Sequence, residues 1–291
     1  MREVASKCET SINLAITMNL SQMARPKKET LPTGPKVTMH NTLVRASHGL
    51  NLGEKRLISM AVSKLSHTAA ALPGKPIRIL AVDFAEQFGI DPDVAYVQLR
   101  AAQDKLYHRS ITHIEHRGPN GTRIFVRKMR WVSSIEYEKG GGEVSLSFAP
   151  EIAQFLVQLK KHFTSYQLKQ ASALRSVYSW RLFENLESHK SLGEWRVEVD
   201  RFHKVMETPK SYQRNFNEVR RWVLDPAISE LAEKCALSVT VETERRGRKI
   251  THLRFTFEPI RQMALPFGEE LREAWAGNFG EELMDLREKL A

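Results

Sequence analysis

Cysteine is nearly absent from this sequence of 291 residues, which contains only Cys8 and Cys235. Two cysteines cannot build a framework of several disulfides, and they cannot form a zinc site made of cysteine ligands. The sequence also lacks an apolar run long enough to cross a membrane. Ile12–Leu20 comes nearest to the apolar core of a signal peptide, but Asn13 and Asn19 interrupt it. We therefore expect a cytoplasmic protein.

Acidic residues are fewer than basic ones, with 34 Asp and Glu against 44 Lys and Arg, so the net charge is +10. A basic protein attracts polyanions, and nucleic acid is a more common partner than a membrane. The hydrophobic fraction of 42% is sufficient for buried cores and excludes a disordered chain. The length suits about two domains. Composition therefore predicts a globular protein with a nucleic-acid partner.

The patterns of common catalytic centres are also missing. His113–His116, with His108 nearby, comes closest to the metal-binding histidine pair of a rolling-circle nickase, but its spacing is wrong and it lies in an alternating strand pattern. Gly140–Gly142 follows a predicted strand but opens no helix, so it does not form a phosphate-binding loop. No Ser-His-Asp or Cys-His arrangement stands out. We expect no enzymatic activity, no metal and no cofactor.

The stretch from Ser211 to Phe257 is the most informative part of the chain, and it begins with a predicted amphipathic helix. At ~100° per residue, one face is apolar and the other is cationic. The predicted core face contains Phe216, Val219, Trp222 and Val223. The predicted outer face contains Arg214, Asn217, Arg220 and Arg221, whose side chains suit phosphates and guanine edges. Asp225–Pro226 should kink or restart this helix.

A β-hairpin is predicted after this helix. Leu237–Glu242 and Leu253–Phe257 alternate apolar and polar residues, which is the strand period. The tip between them carries the cations Arg245, Arg246, Arg248 and Lys249. Taken alone, the tip is more typical of a solvated turn. Taken with the cationic helix, it predicts a winged helix that binds double-stranded DNA.

The same order of elements occurs earlier in the chain. A long helix, a short strand, a short helix, a longer helix and a hairpin are predicted at 51–148 and again at 171–257. This repeat of architecture predicts an α+β fold with two tandem winged-helix domains. The predicted segments are a flexible basic arm at 1–36, a first winged helix at 37–160, a second at 161–260, and an acidic tail with an amphipathic helix at 261–291. Met23 is an alternative start to Met1.

Helix-start signals support the first winged helix. Asn51 and Glu54 predict a capping box, and Asp91–Pro92 predicts an N-cap followed by proline. In the helix at 92–108, the residues expected to face inward are Val94, Val97, Ala101 and Leu106. The predicted strands are Ile77–Ile79, Ile111–His116, Thr122–Met129, Trp131–Tyr137, Glu143–Phe148 and Trp195–Val199.

Helices and a connector are predicted between the two hairpins. A helix series begins at Pro150, Phe163–Leu168 forms a connector, and a long helix spans Ala171–Ser188. Two segments here, Phe163–Leu168 (FTSYQL) and Leu174–Glu184 (LRSVYSWRLFE), resemble the central signature of iteron-binding plasmid replication initiators, the Rep proteins of theta-replicating plasmids. The likeness continues through Ser211–Arg214, Arg220–Arg221, Leu224–Ile228 and the Arg-Arg-Gly-Arg-Lys wing. Asn41–Val44 and Leu52–Arg56 match more loosely, and the coverage is roughly residues 40–258.

The resemblance implies a function and a set of DNA-binding residues. It implies monomers that bind directly repeated origin sequences, and homodimers that bind an inverted operator repeat and repress their own gene. Dimer contacts in the family lie in the first domain. Arg214 and Arg220 are implied to read bases. Ser211, Tyr212, Gln213 and Arg221 are implied to contact the backbone, and Asn217 and the four wing cations complete the candidate DNA-binding set.

The implied protein partners are the host initiator, the replicative helicase and chaperones that convert dimers to monomers. The alternative is a winged-helix transcription regulator without an initiator role. Composition and fold allow both functions. The matched signature favours the initiator.

Overall fold

The protein is described by a computed structural model at residues 34–65, 75–118, 122–138 and 141–260, without the side chains of Glu115 and His116. The acidic tail, the Asn120–Gly121 turn, Cys8 and nearly all of the basic arm lie outside these ranges. The predictions made for them, and the boundaries assigned to the four segments, stay predictions. No helix in the described ranges is long and apolar enough to span a bilayer.

The first half of the described chain contains a winged helix with one inserted hairpin. Its elements are β1 (Lys36–His40), α1 (Asn41–Val44), α2 (Leu52–Ser63), β2 (Ile77–Leu80), α3 (Ala81–Phe88), α4 (Pro92–Leu106), β3 (Ser110–Arg117), β4 (Arg123–Arg130), β5 (Val132–Tyr137) and β6 (Glu143–Phe148). The strands β2, β6 and β5 form an antiparallel sheet in that order, and β3 forms a separate antiparallel pair with β4, beside a single bridge from Thr112 to Ser47.

The second half contains the other winged helix. Its elements are α5 (Pro150–Ala153), β7 (Phe163–Gln167), α6 (Leu168–Ser172), α7 (Val177–Glu187), β8 (Glu194–Glu198), α8 (Val199–Met206), α9 (Lys210–Gln213), α10 (Phe216–Val219), a π-helical turn (Arg220–Leu224), α11 (Asp225–Cys235), β9 (Leu237–Arg246) and β10 (Lys249–Pro259). The strand order β8-β10-β9 repeats the first–last–middle order of β2-β6-β5. The prediction of two winged helices is therefore confirmed.

Local start and stop signals act as the sequence predicts. Asn51 Oδ1 accepts a hydrogen bond from Glu54 N at 2.9 Å, and Glu54 Oε2 accepts one from Asn51 N at 3.0 Å, which completes the capping box. Asp91 caps α4 ahead of Pro92. Gly89 ends α3 in the left-handed conformation, with a φ of 57° that glycine adopts without strain.

The buried face of α4 differs from the prediction. Val94 and Val97 were expected in the core, but they are 46% and 63% exposed. The residues that are buried on this helix are Ala95, Leu99, Ala102 and Leu106. Their spacing is also that of one helical face. The two alanines allow α4 to pack closely on α2 and α3. The larger residues Val94 and Val97 were predicted for the core because they are more strongly apolar than alanine.

The segment between the hairpins also differs from the prediction. Phe163–Gln167 is the strand β7 rather than a connector, and it pairs antiparallel with β1, from Lys36 opposite Gln167 to His40 opposite Phe163. The predicted helix at Ala171–Ser188 is two helices, because Ser176 caps α7 and accepts from Tyr178 N. The helix at Pro150 is a single turn.

A buried polar cluster links α2 to β7 and α7. Lys55 Nζ lies 2.6 Å from Glu184 Oε2, and both side chains are 1% exposed. Tyr166 donates its hydroxyl hydrogen to Glu184 Oε1 at 2.7 Å, and Trp180 Nε1 donates to the Tyr166 oxygen at 3.3 Å. Burial, and next the Glu184 charge, hold the pKa of Tyr166 well above its usual value. We call these four residues the Glu184 cluster.

A second polar group, the Glu207 clasp, joins the loop after α1 to the second winged helix. Glu207 Oε1 accepts hydrogen bonds from Ser47 Oγ, His48 N and Gly49 N at 2.9, 2.6 and 2.7 Å. Glu207 Oε2 lies 2.5 Å from Arg181 Nη2, and Arg181 also donates to Val205 O at 3.0 Å. This clasp therefore links the loop at 47–49 and α7 to the end of α8.

Candidate nucleic-acid interface

The predicted DNA-facing helix is interrupted near its start. α9 ends at Gln213, and Asn215 has an extended backbone with φ −136° and ψ 114°. Asn215 Oδ1 accepts from Asn217 N at 3.0 Å and caps the next helix. The single helix expected from Ser211 is therefore wrong. Arg214 lies in the turn that precedes the long helix, where helical periodicity does not determine its direction.

From Phe216 to Cys235 the backbone stays right-handed and helical, with a π-helical turn at Arg220–Leu224. Pro226 lies two residues after the end of this turn. Because proline has no backbone N–H and its ring crowds the preceding turn, the regular hydrogen-bond ladder cannot pass through it. The helix irregularity predicted at Asp225–Pro226 therefore occurs one turn earlier, as a π bulge rather than a break in the helix.

The π turn changes which side chains reach the core. Val219, Val223 and Leu224 are buried. Trp222, which was predicted to face the core, is 49% exposed. Its Nε1 donates to Glu218 Oε2 at 2.9 Å, and the Arg221 guanidinium lies over its ring at 4.9 Å. Trp222, stacked with Arg221, therefore belongs to the outer face of the helix. A regular helical period places it on the core face, so this exposure could not be predicted from the sequence pattern.

The polar face of this helix is exposed as predicted. Arg214, Asn217, Arg220 and Arg221 are all exposed. Arg220 Nε lies 3.2 Å from Asp225 Oδ1, and both side chains are more than half exposed. Arg214 has no ion-pair partner among the described residues. The face therefore presents guanidinium groups and one amide to solvent.

The short helix α9 carries Ser211, Tyr212 and Gln213 of the predicted DNA-binding set. Ser211 is exposed, but Tyr212 is half-buried and packs against the core. Gln213 Nε2 donates to Thr208 O at 2.6 Å, so its amide holds the protein's own backbone. Lys210, which the sequence reasoning did not include, is exposed at the start of α9. Proline is frequent at the start of a helix, so the position of Lys210 directly after Pro209 was a sequence signal that could have placed it at the start of α9.

The wing is the turn between β9 and β10. Arg246 pairs with Lys249, and Gly247 has a φ of 62°, which the tight turn requires. The four cations of this tip, Arg245, Arg246, Arg248 and Lys249, are exposed, and the described residues give none of them an ion-pair partner.

The acidic residue Glu244 lies near the wing and forms ion pairs with arginines on the sheet. Arg196 donates to both Glu244 oxygens, at 2.8 and 2.6 Å, and Arg254 Nη2 lies 3.4 Å from Glu244 Oε1. The hydrogen bond from Arg196 lowers the pKa of the Glu244 carboxyl to about 2. Glu244 therefore stays ionised and paired, and it leaves the tip cations available to another anion.

The helix of the first winged helix that matches the cationic helix of the second is α4. Arg100 and Lys105 are exposed on α4, as are Val94 and Val97. No three His, Cys, Asp or Glu residues converge on one point among the residues that the structure describes.

Comparisons with known proteins agree with this architecture. The family model described as "Initiator Replication protein, WH1" matches residues 36–187, and the one described as "Initiator Rep protein, WH2" matches residues 198–257. The PI protein of Escherichia coli is 27% identical over 272 residues, which cover 82% of this chain and 86% of that protein. An uncharacterized 27.6 kDa protein of Escherichia coli is 23% identical and covers 73% of this chain and 91% of its own.

A solved structure shares the arrangement of both domains. The crystal structure of Pi initiator protein in complex with iteron DNA matches with a TM-score of 0.65 and 25% identity, covering 78% of this chain and 98% of that one. The WH1 match alone includes more than half of the chain, and the WH2 match includes the cationic helix and the wing. The chain therefore belongs to the family of plasmid replication initiators built from two winged-helix domains.

Proposed function

We propose that this protein starts replication of its plasmid by binding directly repeated origin sequences, the iterons, as a monomer. The observation that carries the proposal is the exposed cationic face at 214–221 beside the cationic wing. The similarity to an initiator solved on iteron DNA supports it. Arg214 and Arg220 read bases, and Arg221 and the wing cations contact phosphates. Acting on plasmid DNA, the protein works in the cytoplasm.

The ion pair of Arg220 does not prevent base reading. An exposed pair such as Arg220–Asp225 contributes about 0–1 kcal/mol. A bidentate contact from arginine to guanine supplies about 1–3 kcal/mol of discrimination. Arg220 therefore gains by leaving Asp225 for a guanine edge. In free protein the pair keeps the guanidinium close to its working position.

We expect Arg220→Ala and Arg214→Ala to lose specific binding while weak non-specific binding remains. Each removes about 1–3 kcal/mol of discrimination, a factor of about 5 to 150. Fluorescence anisotropy on a single-repeat duplex and on a scrambled duplex measures the ratio. Lys169→Ala, an exposed cation on α6, is the control and keeps the ratio. Equal losses on both duplexes contradict base reading, and equal wild-type affinity for both contradicts the proposed function.

The wing variant should behave differently. Because Arg246 contacts a phosphate and not a base, Arg246→Ala weakens both duplexes alike. The slope of log affinity against log salt falls by about 0.9, the value for one phosphate contact on B-DNA. A salt series from low to physiological concentration measures this slope. An unchanged slope rules out the wing contact.

The second part of the proposal is that a homodimer represses the protein's own gene. The hairpin β3–β4 exposes an apolar strip in which Ile114 lies opposite Val126, with Ile124 two residues away on the same face. This strip lies in the first half of the chain, where the family resemblance implies the dimer contacts. Burial of the strip by a second copy would remove apolar surface from water.

We expect Val126→Glu to shift the protein towards monomers, because a dimer would bury the introduced charge. Sedimentation velocity over a concentration series measures the shift. Thr243→Glu, an exposed strand position outside the first winged helix, is the control. A variant that dimerises like wild type excludes this strip from the interface.

The expected protein partners are the host initiator, the helicase and chaperones. The transcription regulator without an initiator role is less favoured, because both family models describe replication initiators. We also propose that the protein has no enzymatic activity; metal-dependent nicking of supercoiled origin DNA by pure protein would contradict this.

A further inference from the structure

A cavity of about 580 Å³ lies between the first residues of α1, the strand β3 and the helix α8. Its volume is that of a small-ligand site. It is lined by none of the DNA-binding candidates at 211–221 and 245–249. Its charged and titratable lining residues are His40, Arg45, His113, His162, Arg201 and Lys204, and the described lining includes no carboxylate.

Arg45, which lines the cavity, is half-buried and has few hydrogen-bond partners among the described residues. Arg45 Nε is buried and has no hydrogen-bond partner among the described residues. Its Nη2 has only a long contact of 3.5 Å to His189 Nε2. Burial, and next the charge of Arg201, lower the pKa of Arg45, which shows that a second guanidinium is near. The Arg45 guanidinium is therefore only weakly engaged by the other described residues.

The imidazoles add flat, partly apolar surface to the cavity. The rings of His40 and His162 meet edge to face, with centroids 6.4 Å apart. His162 has a φ of 55°, an uncommon conformation for a residue with a side chain, and its carbonyl accepts from Asn41 N at 2.8 Å. Strained backbone of this kind concentrates at ligand sites. The loop therefore holds His162 at the cavity at an energetic cost.

We propose that this cavity binds a phosphate ester. Arg45, Arg201 and Lys204 supply the positive charge and the donors that a phosphate requires. The imidazoles of His40 and His162 supply a surface on which the rest of the ligand packs. A free nucleotide and the phosphate of a DNA backbone share this chemistry.

Calorimetric titration of the full chain with ADP and with inorganic pyrophosphate tests the proposal. The variant is the double substitution Arg201→Ala, Lys204→Ala, since both side chains are exposed on α8 and the fold does not depend on them. We expect at least tenfold weaker binding of the probes. Lys169→Ala is again the matched control and should bind as wild type does. Circular dichroism melting verifies that each variant is folded.

The same titrations distinguish the two sources of phosphate. ADP at least tenfold tighter than pyrophosphate identifies a free nucleotide, and equal affinities identify a site for the phosphate alone. If neither probe binds, a threefold loss of affinity for a scrambled duplex in the double variant identifies the DNA backbone. The proposal is overturned if the probes bind wild type and the double variant equally, or if neither the probes nor the duplex respond to the substitution.

Discussion

Lys55→Met is expected to lower the free energy of unfolding by about 3–5 kcal/mol, the range for breaking a buried ion pair by removing one partner. Glu184, whose side chain is 1% exposed, would lose the cation that is paired with its carboxylate. The remaining donor, Tyr166, cannot neutralise that charge. Urea denaturation followed by tryptophan fluorescence gives the change as a shift in midpoint at constant slope.

Two comparisons separate charge from packing in this experiment. Lys64→Met makes the same chemical change in the pair of Lys64 with Asp83, whose side chains are 37% and 44% exposed, and should change stability by less than about 1 kcal/mol. Lys55→Met combined with Glu184→Gln keeps an acceptor for Tyr166 and should recover part of the loss. If Lys55→Met is no more harmful than Lys64→Met, the buried pair does not stabilise the fold.

Glu207→Ala is expected to have a comparable effect, about 3–5 kcal/mol, because it leaves Arg181 without a counter-ion. Arg181 is 3% exposed, and the loop donors Ser47, His48 and Gly49 lose their acceptor as well. Glu207 already adopts a left-handed φ of 51°, so the substitution by alanine leaves this backbone strain unchanged. The measurement is the same urea denaturation, and Glu207→Gln, which keeps an oxygen acceptor, should lose less.

The pH dependence of this loss provides an independent check. Burial alone raises the pKa of Glu207, but the Arg181 charge and the hydrogen bonds from the loop outweigh it, so the pKa lies below the ordinary 4.5. A carboxyl with a lowered pKa stabilises the fold above its unfolded-state pKa and loses that contribution as pH falls through the folded-state pKa. The difference between wild type and Glu207→Ala should therefore shrink below pH 4.5. A difference independent of pH would show that the ionised carboxylate of Glu207 does not account for the loss.

The clasp also affects DNA binding. Two winged helices that bind one duplex act as linked sites only while their spacing matches the DNA. At a temperature where Glu207→Ala remains folded, we expect weaker binding to a single-repeat duplex. The affinity of each winged helix for its own half of the site should not change.

Local signals were the part of the fold that sequence reasoning predicted well. The capping box at Asn51, the proline start of α4 and the hairpin β9–β10 depend on residues close together in the chain. The face of α4 did not follow from the sequence, because Ala95 and Ala102 are buried only through the approach of α2 and α3. Buried charges such as Lys55 are indistinguishable from surface lysines until their partners are placed.

The candidate DNA face was also predicted only in part. The wing and the exposed arginines follow from the composition and from the periodicity of apolar residues. The break at Asn215 does not follow from them, because it depends on a capping geometry. The exposure of Trp222 does not follow either, because it depends on a π turn set by Pro226. The cationic cavity brings His40, Arg45 and Arg201 together from distant parts of the chain, so no local pattern could have indicated it.

The pairing of β1 with β7 has a consequence for how the protein is made. Lys36 lies opposite Gln167, so this strand pair cannot form until the ribosome has synthesised both residues. Contacts between residues so distant in the chain also close slowly, because a long loop must be ordered first. On a growing chain, the first winged helix is therefore complete in sequence at Phe148, before the strand β7 at Phe163–Gln167 has been made to cover β1. Until then β1 is an unpaired edge, a species that chaperones recognise and that aggregates when left unprotected.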